Sequence, residues 1–208
     1  MLGIHSPKTT TALTEVPVAK SKADFILING KAVVYEIKTE LDNFERLETQ
    51  INDYYKAFNY VSVVTAEVNS HAIEKILSDT PVGVYLLTNR NTISQRKKPV
   101  EYNASLEFNT MFKILRKSEY ESILLTYYGY LPNVSQFKYY SECKKMFGEV
   151  DILDAYRLFI TELKKRNRID IDLYAKVPYE LKFLMYFCDL KKAQYNKLEN
   201  FLDSKFGG

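Results

Sequence analysis

The sequence predicts an α/β protein: a mixed sheet made of a three-strand meander and a βαβ crossover, followed by an all-α C-terminal part. Three observations predict it. Short β-rich runs alternate with amphipathic stretches over about the first hundred residues, Asn29-Gly30 stands between two such runs as a hairpin signal, and the chain from about Ser105 onward reads as helix.

The opening strands are ALTEVPV (12–18), ADFILI (23–28) and AVVYEIK (32–38), with the Asn-Gly turn joining the second to the third. Residues 42–58 then place Phe44, Leu47, Ile51, Tyr54, Tyr55 and Phe58 at the three-and-four spacing of one helical face, and Asp42 with Glu45 predicts a capping box at its start. YVSVVTA (60–66), a short helix near 70–79 and VGVYLLT (82–88) follow, and an Asn/Arg-rich turn closes the series. Strand, helix and strand predict a right-handed crossover that sets YVSVVTA parallel to a neighbour. Beyond it, helices are expected near 105–117, 118–128, 134–147, 150–167, 178–188 and 191–205, punctuated by Gly129, Pro132, Gly148 and Pro178. The contrast divides the chain into residues 1–104 and a helical domain over 105–208.

Composition excludes more than it assigns. With 46% hydrophobic and 14% aromatic residues, a packed core is expected rather than disorder. A net charge of +3 is too mild to announce a nucleic-acid binder, and the runs Arg96-Lys97-Lys98 and Lys164-Lys165-Arg166 with Arg168 read as solvated faces. Cys143 and Cys188 sit far apart in apolar contexts and are expected as buried free thiols. MLGIHSPKTT has no charged n-region followed by an apolar stretch, and no apolar run is long enough to span a bilayer, so a cytoplasmic protein without membrane contact is expected. His5 and His71 have no partner at metal-ligand or general-base spacing, and neither a Walker loop nor a dinucleotide fingerprint is present.

The residues that suggest chemistry are Asp24, Glu36 and Lys38, in the pattern Asp-x11-Glu-x-Lys. Side chains alternate across a strand, so Glu36 and Lys38 share a face of a run otherwise made of Ala, Val, Tyr and Ile. Gln50 and Tyr54, four apart, share one side of the following helix, with Gln50 at the edge of its apolar stripe. A two-residue Asn29-Gly30 turn, however, pairs Asp24 with Tyr35 and sends the two carboxylates to opposite faces, so bringing them together requires a bulge, a different loop or divergence of the strand ends.

KADFILINGKAVVYEIKTELDNFERLETQINDYYKAF resembles the core of PD-(D/E)XK nucleases of the RecB-like exonuclease branch, with the acidic-strand motif and the Gln-x3-Tyr motif in order. Residues 4 to about 125, including TEVPVAKSKAD and YEIKTELDNFERL, resemble a poorly characterised group of bacterial nuclease-like proteins. The resemblance implies a restriction-endonuclease-like core and a nuclease hydrolysing DNA phosphodiesters, in phage defence or on a mobile element. It further implies Mg²⁺ or Mn²⁺ held by Asp24 and Glu36, Lys38 acting on the nucleophile or the transition state, and Gln50 and Tyr54 positioning substrate. Hard carboxylate oxygens suit those ions.

Such cores begin with a helix, yet only about eleven residues, poor in helix formers, precede the first strand. The expectation is therefore an enzyme of weak or no activity as it stands, with an uncovered flank of the sheet that a second copy, a protein partner or an element of the C-terminal helices would cover. Glu15 is an additional acidic candidate, read as a solvated strand-edge residue. The alternatives are a catalytically inactive nuclease-fold protein that binds DNA or a partner as a regulator, and a recruiting role centred on the helical part.

Overall fold

The computed structural model describes residues 6, 8–167, 169–178, 181–182 and 192–204. Six strands form one sheet in sequential order: β1 (Thr11–Val18), β2 (Ser21–Asn29), β3 (Lys31–Lys38), β4 (Tyr60–Ala66), β5 (Gly83–Leu87) and β6 (Ile93–Lys97). The first three run antiparallel, β3, β4 and β5 run parallel, and β6 returns antiparallel. The mixed α/β architecture is as the sequence predicts. Between β3 and β4 lies α1 (Leu47–Tyr55), and between β4 and β5 a 3-10 turn (Glu67–Asn69) leads into α2 (Ser70–Ile76). The helical part comprises α3 (Phe108–Ile114), α4 (Lys117–Tyr128), α5 (Gln136–Gly148), α6 (Ile152–Lys164), α7 (Ile171–Lys176) and α8 (Lys192–Asp203).

Strand alternation sorts the side chains into two clusters. One face carries Ile26, Ile28, Ala32, Val34, Val61, Val63, Val84 and Leu86, and buries them against residues of α1 through α6. Phe58, just past α1, meets Phe159 of α6 with ring centroids 5.6 Å apart, so a single core runs from the sheet into the helical part. The other face gathers Phe25, Leu27, Val33 and Tyr35. None of these four is more than 8% exposed, whereas Ile37 and Leu87, on the same face in β3 and β5, are 51% and 45% exposed. Tilted and edge-on ring contacts link Phe25 to Tyr35 and Tyr35 to Tyr85 across it.

Four details depart from the sequence reading, each for a local reason. Asp42 caps no helix: its carboxylate turns back to accept from the Thr39 N–H and hydroxyl, and α1 begins only at Leu47. Strand β6 lies where a basic run was expected, because Asn91 takes a left-handed φ of 56° and Thr88 closes the turn with Asn91 and Thr92. Helix α7 falls in a gap between expected helices, capped by Asp170, which accepts from the Asp172 and Leu173 N–H groups. The helix expected over 178–188 lies, beyond residues 178, 181 and 182, outside the described residues.

The charge runs are not simply solvated either. Lys97 places its ammonium on the carbonyls of Leu77, Ser78 and Thr80 just past the C-terminus of α2, where a cation is favoured. Arg166 turns inward and grips Glu119 through both carboxylate oxygens at 2.7 and 2.6 Å, with a further bond of 2.8 Å to the Ile114 carbonyl. Cys143 is free and buried, as expected; Arg168, Cys188 and His5 lie outside the described residues.

Candidate functional site

The site is created by a register. From Phe25↔Tyr35 the β2–β3 ladder continues through Ile26↔Val34, Leu27↔Val33 and Ile28↔Ala32 to Asn29↔Lys31, leaving Gly30 alone at the bend with φ 73°. A left-handed φ is open to glycine at no steric cost. The expected two-residue turn is therefore replaced by a tighter one, and the register shifts by one residue. Continued outward from Phe25↔Tyr35, this register sets Asp24 opposite Glu36 rather than Tyr35. Glu36 and Lys38 follow Ala32 and Val34 on the side of the strand that meets α1.

Helix α1 then supplies the polar lining. Gln50 donates through Nε2 to Glu36 Oε1 at 2.6 Å, and its Oε1 accepts from Lys38 Nζ at 2.9 Å. Lys38 Nζ also lies 2.9 Å from Glu36 Oε1. The Tyr54 hydroxyl stands 2.5 Å from Glu36 Oε2 and 2.9 Å from the Lys22 carbonyl. With one proton to give, it gives it to the carboxylate, the stronger acceptor. Burial, and then the bond to Glu36 and its charge, push the Tyr54 phenol far above its usual range, so this residue acts as a fixed donor and never as a base. Glu36 is 2% exposed and Tyr54 fully buried.

Asp24 differs from Glu36 in every respect but its charge. It is half-buried, and its Oδ2 accepts from the Ile37 N–H at 2.8 Å, while Oδ1 takes no hydrogen bond among the described residues. Burial raises its carboxyl above the ordinary value, the charges of Glu36 and Glu15 raise it further, and the Ile37 N–H and Lys38 oppose the rise only in part. Asp24, Glu36 and Lys38 together carry one net negative charge when all are ionised, beside an open carboxylate oxygen. Magnesium commonly takes one or two protein carboxylates and completes its shell from water and phosphate oxygens, so this donor set fits it. Among the described residues no group of three or more His, Cys, Asp and Glu could hold a metal ion.

All five residues singled out in the sequence thus lie in one neighbourhood. Glu15, the extra acidic candidate, stands between the pairs Thr14↔Phe25 and Val16↔Ala23, in a left-handed conformation with φ 55°. Its carboxylate pairs with Lys22 in an exposed contact, and it reaches the site through its charge on Asp24. Sequence reasoning missed Asp53, whose Oδ2 accepts from the Lys20 N–H at 3.2 Å and the Ser21 hydroxyl at 2.8 Å and so holds the β1–β2 turn onto α1. Its position one residue before Tyr54, on the buried side of the helix, was the available signal.

Residues 1–178 match the family model for bacteriophage P4 protein cII. The chain belongs to the bacteriophage P4 protein cII family. Protein cII of Enterobacteria phage P4 itself is 28% identical over 163 residues, an alignment that covers 75% of this chain and 59% of that protein. The chain therefore spans less than two thirds of the length of that cII relative. Among solved structures, this cII-family chain has a loose likeness to the SPO1766 protein of unknown function from Silicibacter pomeroyi, with a TM-score of 0.37 and 12% identity over 62% of this chain and 87% of that one. A looser likeness is to Pyrococcus furiosus SfsA in complex with Ca²⁺, with a TM-score of 0.26 and 11% identity over 45% of this chain and 55% of that one. No helix among the described residues is long and apolar enough to cross a membrane.

Proposed function

We propose that this chain is a divalent-metal-dependent nuclease of the PD-(D/E)XK type that hydrolyses DNA phosphodiester bonds, with Asp24, Glu36 and Lys38 at its centre. The observation that carries the reading is the β2–β3 register, which sets Asp24 opposite Glu36 although the Asn-Gly signal alone would separate them. Asp24 and Glu36 would hold Mg²⁺ or Mn²⁺. When bound, the ion lowers the pKa of an attacking water and screens the charge of the phosphodiester. Lys38, oriented by Gln50 and Glu36, places a compact cation where negative charge builds on the phosphate. Gln50 and Tyr54 hold the Glu36 carboxylate in place by a hydrogen bond to each of its oxygens. Membership of a phage protein family agrees with a role on a mobile element.

A second reading, a nuclease-fold protein that binds DNA or a partner without turnover, is favoured by one observation. Both Glu36 oxygens already hold donors, and the Lys38 ammonium rests where a cation would approach Oε1. Cleavage of single- and double-stranded DNA, assayed in Mg²⁺ and in Mn²⁺ with the Glu36→Gln and Lys38→Ala proteins in parallel, separates the two. Cleavage that both substitutions abolish supports the enzyme; DNA binding with no cleavage in either metal supports the binder.

A further inference from the structure

The end of the sheet away from Glu36 holds a cleft that the proposed chemistry does not use. It lies between the β2–β3 bend and α6, has a volume of about 500 Å³, and is lined in part by Lys31, Tyr60, Glu101, Arg157, Ile160 and Lys164. Lys31 and Glu36 are five residues apart on an extended strand, roughly 16 Å. The cleft is therefore separate from the carboxylate pair.

Its charge is unbalanced. Lys31 comes from the bend and holds its ammonium 4.4 Å from the Tyr60 ring centroid, at the edge of the cleft. Arg157 and Lys164 come from α6, seven residues apart and so on one side of the helix, about 10 Å along its axis. Neither Lys31 nor Lys164 has a carboxylate partner among the described residues, and Arg157 pairs only with Asp154 in its own helix. The one acidic residue of the lining, Glu101, is already engaged: it accepts from Asn59 at 2.9 Å, Asn103 at 3.1 Å and the Tyr60 hydroxyl at 3.3 Å. Asn59 is fixed in turn by Tyr156 of α6, whose hydroxyl donates to its side-chain carbonyl at 2.5 Å. The polar floor is thus hydrogen-bonded internally, and three exposed cations, Lys31, Arg157 and Lys164, outnumber the one Glu101 charge in the lining.

We infer that this cleft is a phosphate-binding groove for a nucleic-acid strand. The cations are spread over a length greater than one phosphate group, which favours a run of phosphodiesters over a single anion, and Ile160 with the β-strand side chains gives the groove an apolar wall. Only the choice of nucleic acid as the source of phosphates rests on the nuclease reading.

The test is fluorescence anisotropy of a labelled single-stranded DNA over a salt series, with EDTA present so that cleavage makes no contribution. The Lys31→Ala/Lys164→Ala double variant is expected to bind about tenfold more weakly or worse, with a salt slope smaller by about 1.4, because each lysine neutralises a phosphate of the single strand. Lys144→Ala, a half-exposed lysine on α5 outside the cleft, should change neither quantity appreciably. Affinity and slope unchanged in the double variant, or equal losses in Lys144→Ala, would overturn the assignment. Competition by a nucleoside triphosphate as effective as the unlabelled strand would overturn it as well, by making the occupant a free nucleotide. Cleavage by the unaltered chain is read separately. Normal binding by the double variant beside an active wild type sinks the groove and leaves the nuclease standing, and weakened binding beside an inactive wild type does the reverse.

Discussion

A carboxylate buried at the end of a strand is tolerated only when its oxygens are met by donors, and at Glu36 Gln50, Lys38 and Tyr54 meet both. Sequence reasoning placed Glu36 at a site but not inside the core, because an isolated Glu-x-Lys on a strand usually marks its emergence into solvent. Burial makes Glu36 structural as well. Glu36→Gln is expected to cost about 2–3 kcal/mol, since it leaves the nearly buried Lys38 ammonium without its counter-charge. Urea unfolding at pH 7 measures this, and an unchanged midpoint would show that the pair contributes nothing. Asp24 has the opposite sign. Its carboxyl is raised above the ordinary value of 3.8, so the folded state holds its proton more tightly than the unfolded chain does. Stability from this group is then highest below the ordinary value, falls as pH rises toward the folded value, and stays at the lower level above it. Because the site is half open and screened by solvent, the effect is a fraction of a kcal/mol. Asp24→Asn, without added metal, is expected to raise Tm by roughly 1–2 °C at neutral pH, with the gain vanishing in acid. A lower Tm at neutral pH would mean that the ionised carboxylate stabilises the fold.

At the level of elements, what could be read from the sequence was what depends on neighbours along the chain. The meander, the crossover and the amphipathic face of α1 follow from period and spacing, and the strands lie as expected through β5. The β2–β3 register was not legible, because an Asn-Gly pair allows turns that differ by one residue and one residue reverses every side chain on the strand. Strand β6 was hidden by its own composition: ISQRK carries no alternating apolar pattern and is held by β5 and by Lys97 on the end of α2. Nor could the sequence distinguish Arg166 from the lysines beside it. The structure sets it between α6 and α4, with side-chain exposures of 12% for Arg166 and 10% for Glu119. Burial alone would raise the Glu119 carboxyl, but the Arg166 fork and the Arg116 N–H outweigh it and hold the carboxyl below its ordinary value. Arg166→Ala is expected to cost about 3–5 kcal/mol, while Arg166→Met with Glu119→Leu should recover most of it, because the desolvated charge is removed together with its partner. Chemical denaturation of the two variants decides this. A double variant no better than the single one would place the stabilisation in some feature other than the ion pair.

For the molecule as a whole, the core that joins sheet to helices also fixes both proposed sites. Tyr54 and Gln50 reach the carboxylates from a helix packed on the sheet, and Tyr156 ties α6 to Asn59 beneath the basic cleft. The sequence showed the parts of the first site because a motif spans consecutive elements. It could not show the second, whose cations come from a bend and a helix more than a hundred residues apart. The central claim is that Asp24, Glu36 and Lys38 form a metal-assisted hydrolytic centre, and Mg²⁺-dependent cleavage of DNA tests it most directly. The purified chain is expected to cut DNA in Mg²⁺ or Mn²⁺ and not in EDTA, with the rate falling by about a hundredfold or more in Glu36→Gln and in Lys38→Ala while both proteins stay folded. No cleavage by the unaltered chain in either metal, or equal cleavage by all three proteins, would contradict the claim.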